Sequence, residues 1–231
     1  MPVKYEHVVF CHLSDFQLSL YRLFITSPEI KALLRGVDSQ PLKAINILKK
    51  LCNHPDLLNL AEDLKGSEKL LPPDYAIANG SGRGSNRNPV VRSEWGGKFL
   101  VLERSVMVYL EDRQCWLGAS RFLHLIRQTT SDKIVLISNY TQTLDLFERL
   151  CRNKKWGICI LKPPRSWCWT RYGYFRLDGT MSIPKRQKLV DQFNDPHGKE
   201  FVFLLSSKAG GCGINLIGAN RLILFDPGML T

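Results

Sequence analysis

Short apolar runs alternate with amphipathic segments in the C-terminal part of the chain. The runs are rich in β-forming residues and bounded by polar ones: IVLIS (134–138), YFRL (174–177), FVFLL (201–205) and RLILF (221–225). Strands that are apolar throughout are typical of parallel sheets covered on both faces. Because helical patterns separate the first three runs, the sequence predicts an α/β, doubly wound, mostly parallel fold.

Helical spacing of apolar residues predicts two helices between these strands. The segment 140–152 places Leu144, Phe147 and Cys151 on one face, and Asn139 is expected to cap its first turn. The second helix is expected to begin after Ser182, which has the side chain of an N-cap. Its buried stripe is predicted to contain Leu189, Val190 and Phe193.

The rest of the chain divides into two further zones. Residues 1–70 are predicted to be an extended opening followed by helices, one from about Asp15 to Leu34 and one over 41–52. Residues 71–131 form a variable linker, because they open with a stretch rich in Gly, Pro, Ser and Asn. The α/β zone is therefore expected to occupy residues 132–231.

Positive charge bears on the class of partner. The chain has 32 Lys and Arg against 21 Asp and Glu, which gives a formal net charge of +11. A surplus of basic residues favours polyanions, because each neutralised phosphate releases counterions. Charge alone leaves nucleic acid and a basic surface without a partner equally open.

Cysteine usage and hydropathy exclude several classes of protein. The seven Cys residues form no C-x-x-C pair and have no zinc spacing with His, so we expect reduced thiols and no metal site. No run of about 18 apolar residues occurs, and no membrane partner is expected.

Polar and small residues collect directly after the four predicted strands. In parallel sheets ligands bind at the carboxyl ends of the strands, and loops of this composition expose N–H groups that bind phosphate. The glycine-rich loop has two explanations that are equally open. It could bind phosphate, or it could be a tight turn that needs positive φ. The four stretches are Ser138-Asn139-Tyr140-Thr141, Asp178-Gly179-Thr180, Ser206-Ser207-Lys208-Ala209-Gly210-Gly211-Cys212-Gly213 and Asp226-Pro227.

Two common phosphate fingerprints do not fit the chain. The pattern G-x-G-x-x-G fails after Gly213, and neither Gly-Lys pair has the spacing of a Walker loop. The residues therefore support neither a nicotinamide site nor a complete nucleotide site, and no catalytic residue is assigned.

Several long blocks resemble SWI/SNF-type helicase-like ATPases. Residues 133–151, 174–194 and 201–227 are similar to three consecutive blocks of the second RecA-like lobe, that is, the helicase C-terminal lobe. LKKLCNHPDLL (48–58) resembles the helix before this lobe, and residues 3–21 resemble the segment that leaves the first lobe. The sequences SNYTQTLD (138–145) and LLSSKAGGCGINLIGAN (204–220) resemble those of one branch of this family, the RAD-family homologous-recombination repair translocases.

The resemblance implies a motor that moves along double-stranded DNA and contacts its backbone. It implies ATP and Mg²⁺ for the complete motor, a RecA-like recombinase filament as a partner, and the nucleus as the location. A DNA strand would be contacted by Ser138, Asn139, Thr180, Ser206, Ser207 and Lys208. Arg186 is a candidate for a further DNA contact by its position on the helix, and a solvated or ion-paired surface residue is the alternative. Gly210, Gly211 and Gly213 would shape the loop that couples nucleotide state to DNA grip.

Departures from the family pattern lead to a narrower expectation. The chain has no Walker loop, no D-E-x-H box and no arginine-bearing block after Asp226-Pro227, and it has inserts near 105–121 and 156–171. We expect a truncated fragment that grips DNA without ATP turnover and binds no cofactor by itself. Two alternatives stay open: a partner-binding or inhibitory isoform, and a non-functional read-through product.

Overall fold

The structure is a computed structural model, and it describes the chain in several separate ranges. The described residues are 4–36, 41–73, 75, 91–103, 126, 130–153, 173–209 and 213–226. The predicted inserts, Gly210 and Gly211 lie outside them. Contacts divide the chain into a first unit, Met1–Tyr75 with Arg92–Leu123, and a second unit, Ala76–Val91 with His124–Thr231. None of the described helices is long and apolar enough to cross a membrane.

Regular elements in the described residues follow the predicted order. In the first unit the helices are α1 Asp15–Thr26, α2 Pro28–Leu34, α3 Pro41–Asn53, α4 Leu60–Asp63 and α5 Gly97–Glu103. In the second unit they are β1 Ile134–Ser138, α6 Thr141–Asn153, β2 Gly173–Leu177, α7 Ile183–Asn194, β3 Glu200–Ser206 and β4 Arg221–Leu224. The four predicted strands are present, each within one residue of its expected bounds.

A break at Ser27 divides the helix that was predicted to run from Asp15 to Leu34. Ser27 is extended, with φ −62° and ψ 145°, because the residue before a proline avoids the helical region. Its side chain accepts a hydrogen bond of 3.3 Å from the Ile30 N–H and so caps α2. The single-helix prediction is therefore wrong, although Pro28 itself marked the boundary.

Gln17 connects three segments of the first unit. This side chain is fully buried; its Nε2 donates to the Leu51 carbonyl at 2.7 Å, and its Oε1 accepts from the Gly97 N–H at 2.8 Å. Gly97 approaches the segment just before α1 closely, since a Cβ there would lie 1.8 Å from the His12 carbonyl oxygen. The N-terminus of α5 and the C-terminus of α3 are thus held against α1 by one amide whose polar atoms are satisfied.

The sheet of the second unit is parallel, with strand order β2-β3-β1-β4. β1 pairs with β3 on one side and with β4 on the other; Leu136 lies opposite Leu204 and Ile223. The side chains of β3 are buried from Phe201 to Ser206, as expected for a central strand. The predicted α/β class with parallel strands is confirmed.

The two helices of this unit cover opposite faces of the sheet. Successive side chains of a strand point to opposite faces. On β2, Phe175 packs with the cluster that contains Phe193 of α7, whereas Arg176 forms ion pairs with Asp145 and Glu148 of α6. The sheet is therefore doubly wound, as predicted.

His54 is a fully buried, neutral imidazole at the end of α3. Its Nδ1 accepts from the Asp56 N–H at 3.2 Å, and its Nε2 lies 2.9 Å from the Arg92 carbonyl oxygen. The second contact requires a proton on Nε2, since a carbonyl oxygen only accepts. Burial lowers the pKa of His54, although Asp56 and the Arg92 carbonyl act in the opposite direction.

We predict that the stability of the first unit falls as the pH is lowered below neutrality. An unfolded histidine has a pKa of about 6.5, so between that value and the lower folded pKa the unfolded state binds more protons. The free energy of unfolding should therefore decrease as the pH falls from about 7.5 to about 5.5, above the range in which carboxylates titrate. Urea unfolding of the chain and of His54→Gln across this range measures the effect. An equal decrease in both proteins would contradict it.

Candidate nucleic-acid interface

The carboxyl ends of the parallel strands meet at one edge of the sheet. This carboxyl edge, as we call it, consists of residues 138–140, 178–181, 206–209 and Asp226. Its residues come from four separate places in the sequence and lie together because every strand of the sheet runs in the same direction. The predicted site residues that fall within the described part of the chain, other than Arg186 and Gly213, belong to this edge.

Asn139 is the centre of the hydrogen bonds at the carboxyl edge. Its N–H lies 3.1 and 3.2 Å from the carboxylate oxygens of Asp226, and its Nδ2 donates to the Asp226 carbonyl at 3.0 Å. The Ser207 hydroxyl donates to its Oδ1. Asn139 thus ties together the residues that follow β1, β3 and β4.

The capping role predicted for Asn139 is wrong. The helix α6 begins two residues later, at Thr141, and the N–H groups of Thr143 and Leu144 bond to the Tyr140 carbonyl at 3.0 and 3.3 Å. The Asn139 side chain is engaged with Asp226 and Ser207 instead. Ser182 does occupy the N-cap of α7, as predicted, but its side chain makes no capping hydrogen bond.

Ser138 and Ser206 lie beneath the surface of the edge. They are 0% and 2% exposed and occupy paired positions in β1 and β3. The Ser138 hydroxyl lies 3.1 Å from the Tyr140 N–H, and the Ser206 carbonyl accepts from the Ala209 N–H at 2.9 Å. Both serines therefore shape the turns that leave their strands.

Thr180 is exposed and is held by the acidic side chain that follows β2. The Thr180 N–H and hydroxyl both donate to Oδ1 of Asp178, at 3.1 and 2.6 Å. The other carboxylate oxygen accepts from Nε of Arg176 at 3.1 Å. The Thr180 hydroxyl, with the Arg176 guanidinium, keeps the pKa of Asp178 below its usual value, so Asp178 is charged and the turn is fixed.

Arg176 also anchors this turn to α6. Its Nη1 lies 2.5 Å from Asp145 and 2.9 Å from Glu148, and Glu148 accepts a further bond from the Tyr174 hydroxyl at 2.7 Å. Burial acts to raise the pKa of Glu148, but the hydrogen bonds from Tyr174 and Arg176 and the nearby guanidinium charges outweigh it and lower that pKa. The turn after β2 is therefore held by an ionised network.

The remaining predicted residues differ in exposure. Lys208 is exposed at the edge, and Ser207 is half-buried beside it. Gly213 has φ +55°, the positive value that favours glycine, with open space around its Cβ position. Arg186 is half-buried on α7, where its guanidinium faces backbone carbonyls.

Asp226 was noted only as part of the polar stretch after the fourth strand, and Arg176 was not singled out as a site residue. The signal for Asp226 was present, since an acidic residue directly follows the fourth strand at the edge where the other polar residues collect. Arg176 gave a weaker signal, a charged residue inside an otherwise apolar strand. Neither pattern identifies the partners on other elements, because Asn139 is remote in sequence from Asp226, and Asp145 and Glu148 are remote from Arg176.

The chemistry available at the carboxyl edge is binding. Its exposed ammonium group, on Lys208, is a donor that proteins use for phosphate oxygens, whereas the Thr180 and Ser207 hydroxyls and the Asn139 N–H donate to partners within the edge. Within the described residues, no group of three or more His, Cys, Asp and Glu side chains is arranged to hold a metal ion.

Two family models match the chain. The helicase conserved C-terminal domain matches residues 119–229, and the SNF2-related domain matches residues 1–57. Together they account for most of the sequence and for both units.

Curated relatives match nearly the whole chain. It is 59% identical over 227 residues to DNA repair protein rhp54 of Schizosaccharomyces pombe, which covers 98% of this chain and 22% of that protein. It is 51% identical over 229 residues to DNA repair and recombination protein RAD54 of Saccharomyces cerevisiae, covering 98% and 21%. The chain spans about a fifth of the length of these two relatives.

Solved structures share the fold at low identity. The C-terminal part of the Fun30 ATPase domain matches with a TM-score of 0.61 and 21% identity, over 99% of this chain and 76% of that one. The Sulfolobus solfataricus SWI2/SNF2 ATPase core in complex with dsDNA matches with a TM-score of 0.55 and 18% identity, over 95% and 34%.

We predict that Asp226→Ala loosens the carboxyl edge. The change removes a charged acceptor from the Asn139 N–H, and hydrogen bonds to charged groups contribute about 1.5–3 kcal/mol. Exchange of the Asn139 amide hydrogen should therefore accelerate roughly tenfold or more, as measured by NMR. Asp191→Ala removes an exposed carboxylate from α7 and is the matched control. Equal exchange at Asn139 in the two variants would contradict the prediction.

Proposed function

The chain belongs to the SNF2-type ATPase family, and we propose that it serves as the second RecA-like lobe of a double-stranded-DNA translocase in homologous-recombination repair. The observation that carries this proposal is the identity, over nearly the whole chain, to proteins named for DNA repair and recombination. The dsDNA complex of a protein with the same fold is further support.

The carboxyl edge is the proposed DNA-contacting surface. Lys208 would supply a cation, and Thr180, Ser207 and Asn139 would lie against the DNA strand and position neighbouring N–H groups, since their own donors are bonded within the edge. Ser138 and Ser206, which are buried, would act through the turns they shape. Contacts of this kind address the phosphate backbone, so binding would be independent of base sequence and sensitive to salt.

ATP and Mg²⁺ belong to this proposal only as ligands of a complete motor. The residues of this chain do not form a nucleotide site of their own, because the sequence contains no Walker loop. We therefore assign no nucleotide contact and no chemical step to it. By themselves, these 231 residues would bind duplex DNA without ATP turnover.

Two further parts of the proposal concern the cell. A RecA-like recombinase filament would be the protein partner, and the nucleus would be the location. Both are supported by the names of the relatives, which describe repair and recombination.

We predict salt-sensitive binding of duplex DNA, to which Lys208 contributes one phosphate contact. The affinity should fall linearly with salt on logarithmic axes, and Lys208→Gln should reduce that slope by about 0.9. Fluorescence anisotropy with labelled duplexes of two unrelated sequences, between about 50 and 200 mM salt, measures both quantities. Lys188→Gln removes an exposed charge from α7 and serves as the control.

Two results would count against this proposal. Binding that depends on base sequence, or that salt leaves unchanged, would contradict contact through the backbone. ATP hydrolysis by this chain, followed in the same samples, would contradict the absence of turnover.

A further inference from the structure

Arg186 directs its guanidinium at the backbone of two different loops. Its Nε donates to the Met181 carbonyl at 2.9 Å, and its Nη2 lies 3.4 Å from the Gly179 carbonyl oxygen. Both belong to the loop after β2. Its Nη1 lies 3.4 Å from the carbonyl oxygen of Ala209, in the loop after β3. One side chain thus reaches both loops.

The base of the Arg186 side chain is fixed. Residues four apart lie on the same face of a helix, and Val190, the residue four positions after Arg186, is 5% exposed in the core between α7 and the sheet. Ala209, whose carbonyl Arg186 approaches, is itself 4% exposed in the same core. The guanidinium therefore starts from a helix packed against the sheet and reaches a buried target.

Each of the two loops carries a proposed DNA contact and has its own restraint. Thr180 in the first is tied to Asp178, and Ser207 in the second is tied to Asn139. These bonds fix each loop relative to its own strand or to β1. The contact from Arg186 to Ala209 is different in kind, because it links the loop after β2 with the loop after β3.

We propose that Arg186 is a positioning residue that sets the spacing between loops 178–181 and 207–209, and so places Thr180 and Lys208 on the same DNA strand. The part that concerns DNA rests on the proposed function. Arginine suits the task because its planar guanidinium has five N–H donors in a fixed fork, whereas lysine has a single flexible ammonium group.

Direct contact of Arg186 with a DNA phosphate is the competing account, and it predicts different behaviour. A phosphate contact depends mainly on charge, so Arg186→Lys would resemble the unaltered chain and only Arg186→Gln would lose affinity. A positioning role depends on the fixed geometry of the guanidinium N–H donors, so Arg186→Lys and Arg186→Gln would lose DNA affinity to a similar extent. Lys185→Gln, on the neighbouring exposed residue of α7, controls for the loss of one charge.

The first experiment needs no DNA. Amide hydrogen exchange of the free chain is measured at Thr180, Met181 and Ala209, whose N–H groups are hydrogen-bonded within the two loops. We expect Arg186→Lys and Arg186→Gln to accelerate exchange in both loops several-fold, with Lys185→Gln unchanged. Exchange in the core amides of β3 reports whether each variant has folded. Unchanged exchange in both loops of folded Arg186→Gln would overturn the proposal.

The second experiment measures duplex binding by the same variants across a salt series. We expect Arg186→Lys and Arg186→Gln to bind roughly tenfold more weakly than Lys185→Gln. Full affinity of Arg186→Lys, with a salt slope lower by about 0.9 in Arg186→Gln alone, would overturn positioning in favour of contact. If the unaltered chain binds no duplex, the proposed function fails, while the exchange result still decides whether Arg186 links the loops.

Discussion

The parallel pairing of β1 with β3 and β4 is the constraint on which the rest of the second unit depends. It brings the ends of strands that are far apart in sequence within hydrogen-bonding distance, so that Asn139 meets both Ser207 and Asp226. Pairing in the opposite direction would send alternate loops to opposite edges. The same geometry places α6 and α7 on opposite faces, where Arg176 and Arg186 each connect a helix to the turn after β2.

Most polar side chains at the carboxyl edge are satisfied by one another. Asn139 bonds to Asp226, Thr180 to Asp178, and Ser207 to Asn139, and this arrangement leaves Lys208 as an exposed cation beside hydrogen-bonded turns. Buried amides and imidazoles serve a similar structural role in the first unit, where Gln17 and His54 hold remote segments together.

The sequence predicted the fold well because its signals were local. Strands such as 134–138 and 201–205 are apolar throughout, and the buried stripe of α6 could be identified from Leu144 and Phe147. The candidate site was only partly predictable. The small and polar residues after each strand indicated the carboxyl edge of the sheet. However, Asp226, the partner of Asn139, lies 87 residues away, and helical spacing alone does not identify the groups that the Arg186 guanidinium contacts. Long-range hydrogen bonds leave no periodic pattern in a sequence.

Hydrogen exchange with and without duplex is the most direct test of the proposed binding of duplex DNA at the carboxyl edge. We expect added protection at residues 139–141, 179–181 and 207–209 when DNA is present, and none at 130–133 and 195–199, which precede β1 and β3 at the opposite edge of the sheet. Protection confined to the opposite edge, or to the first unit, would contradict it.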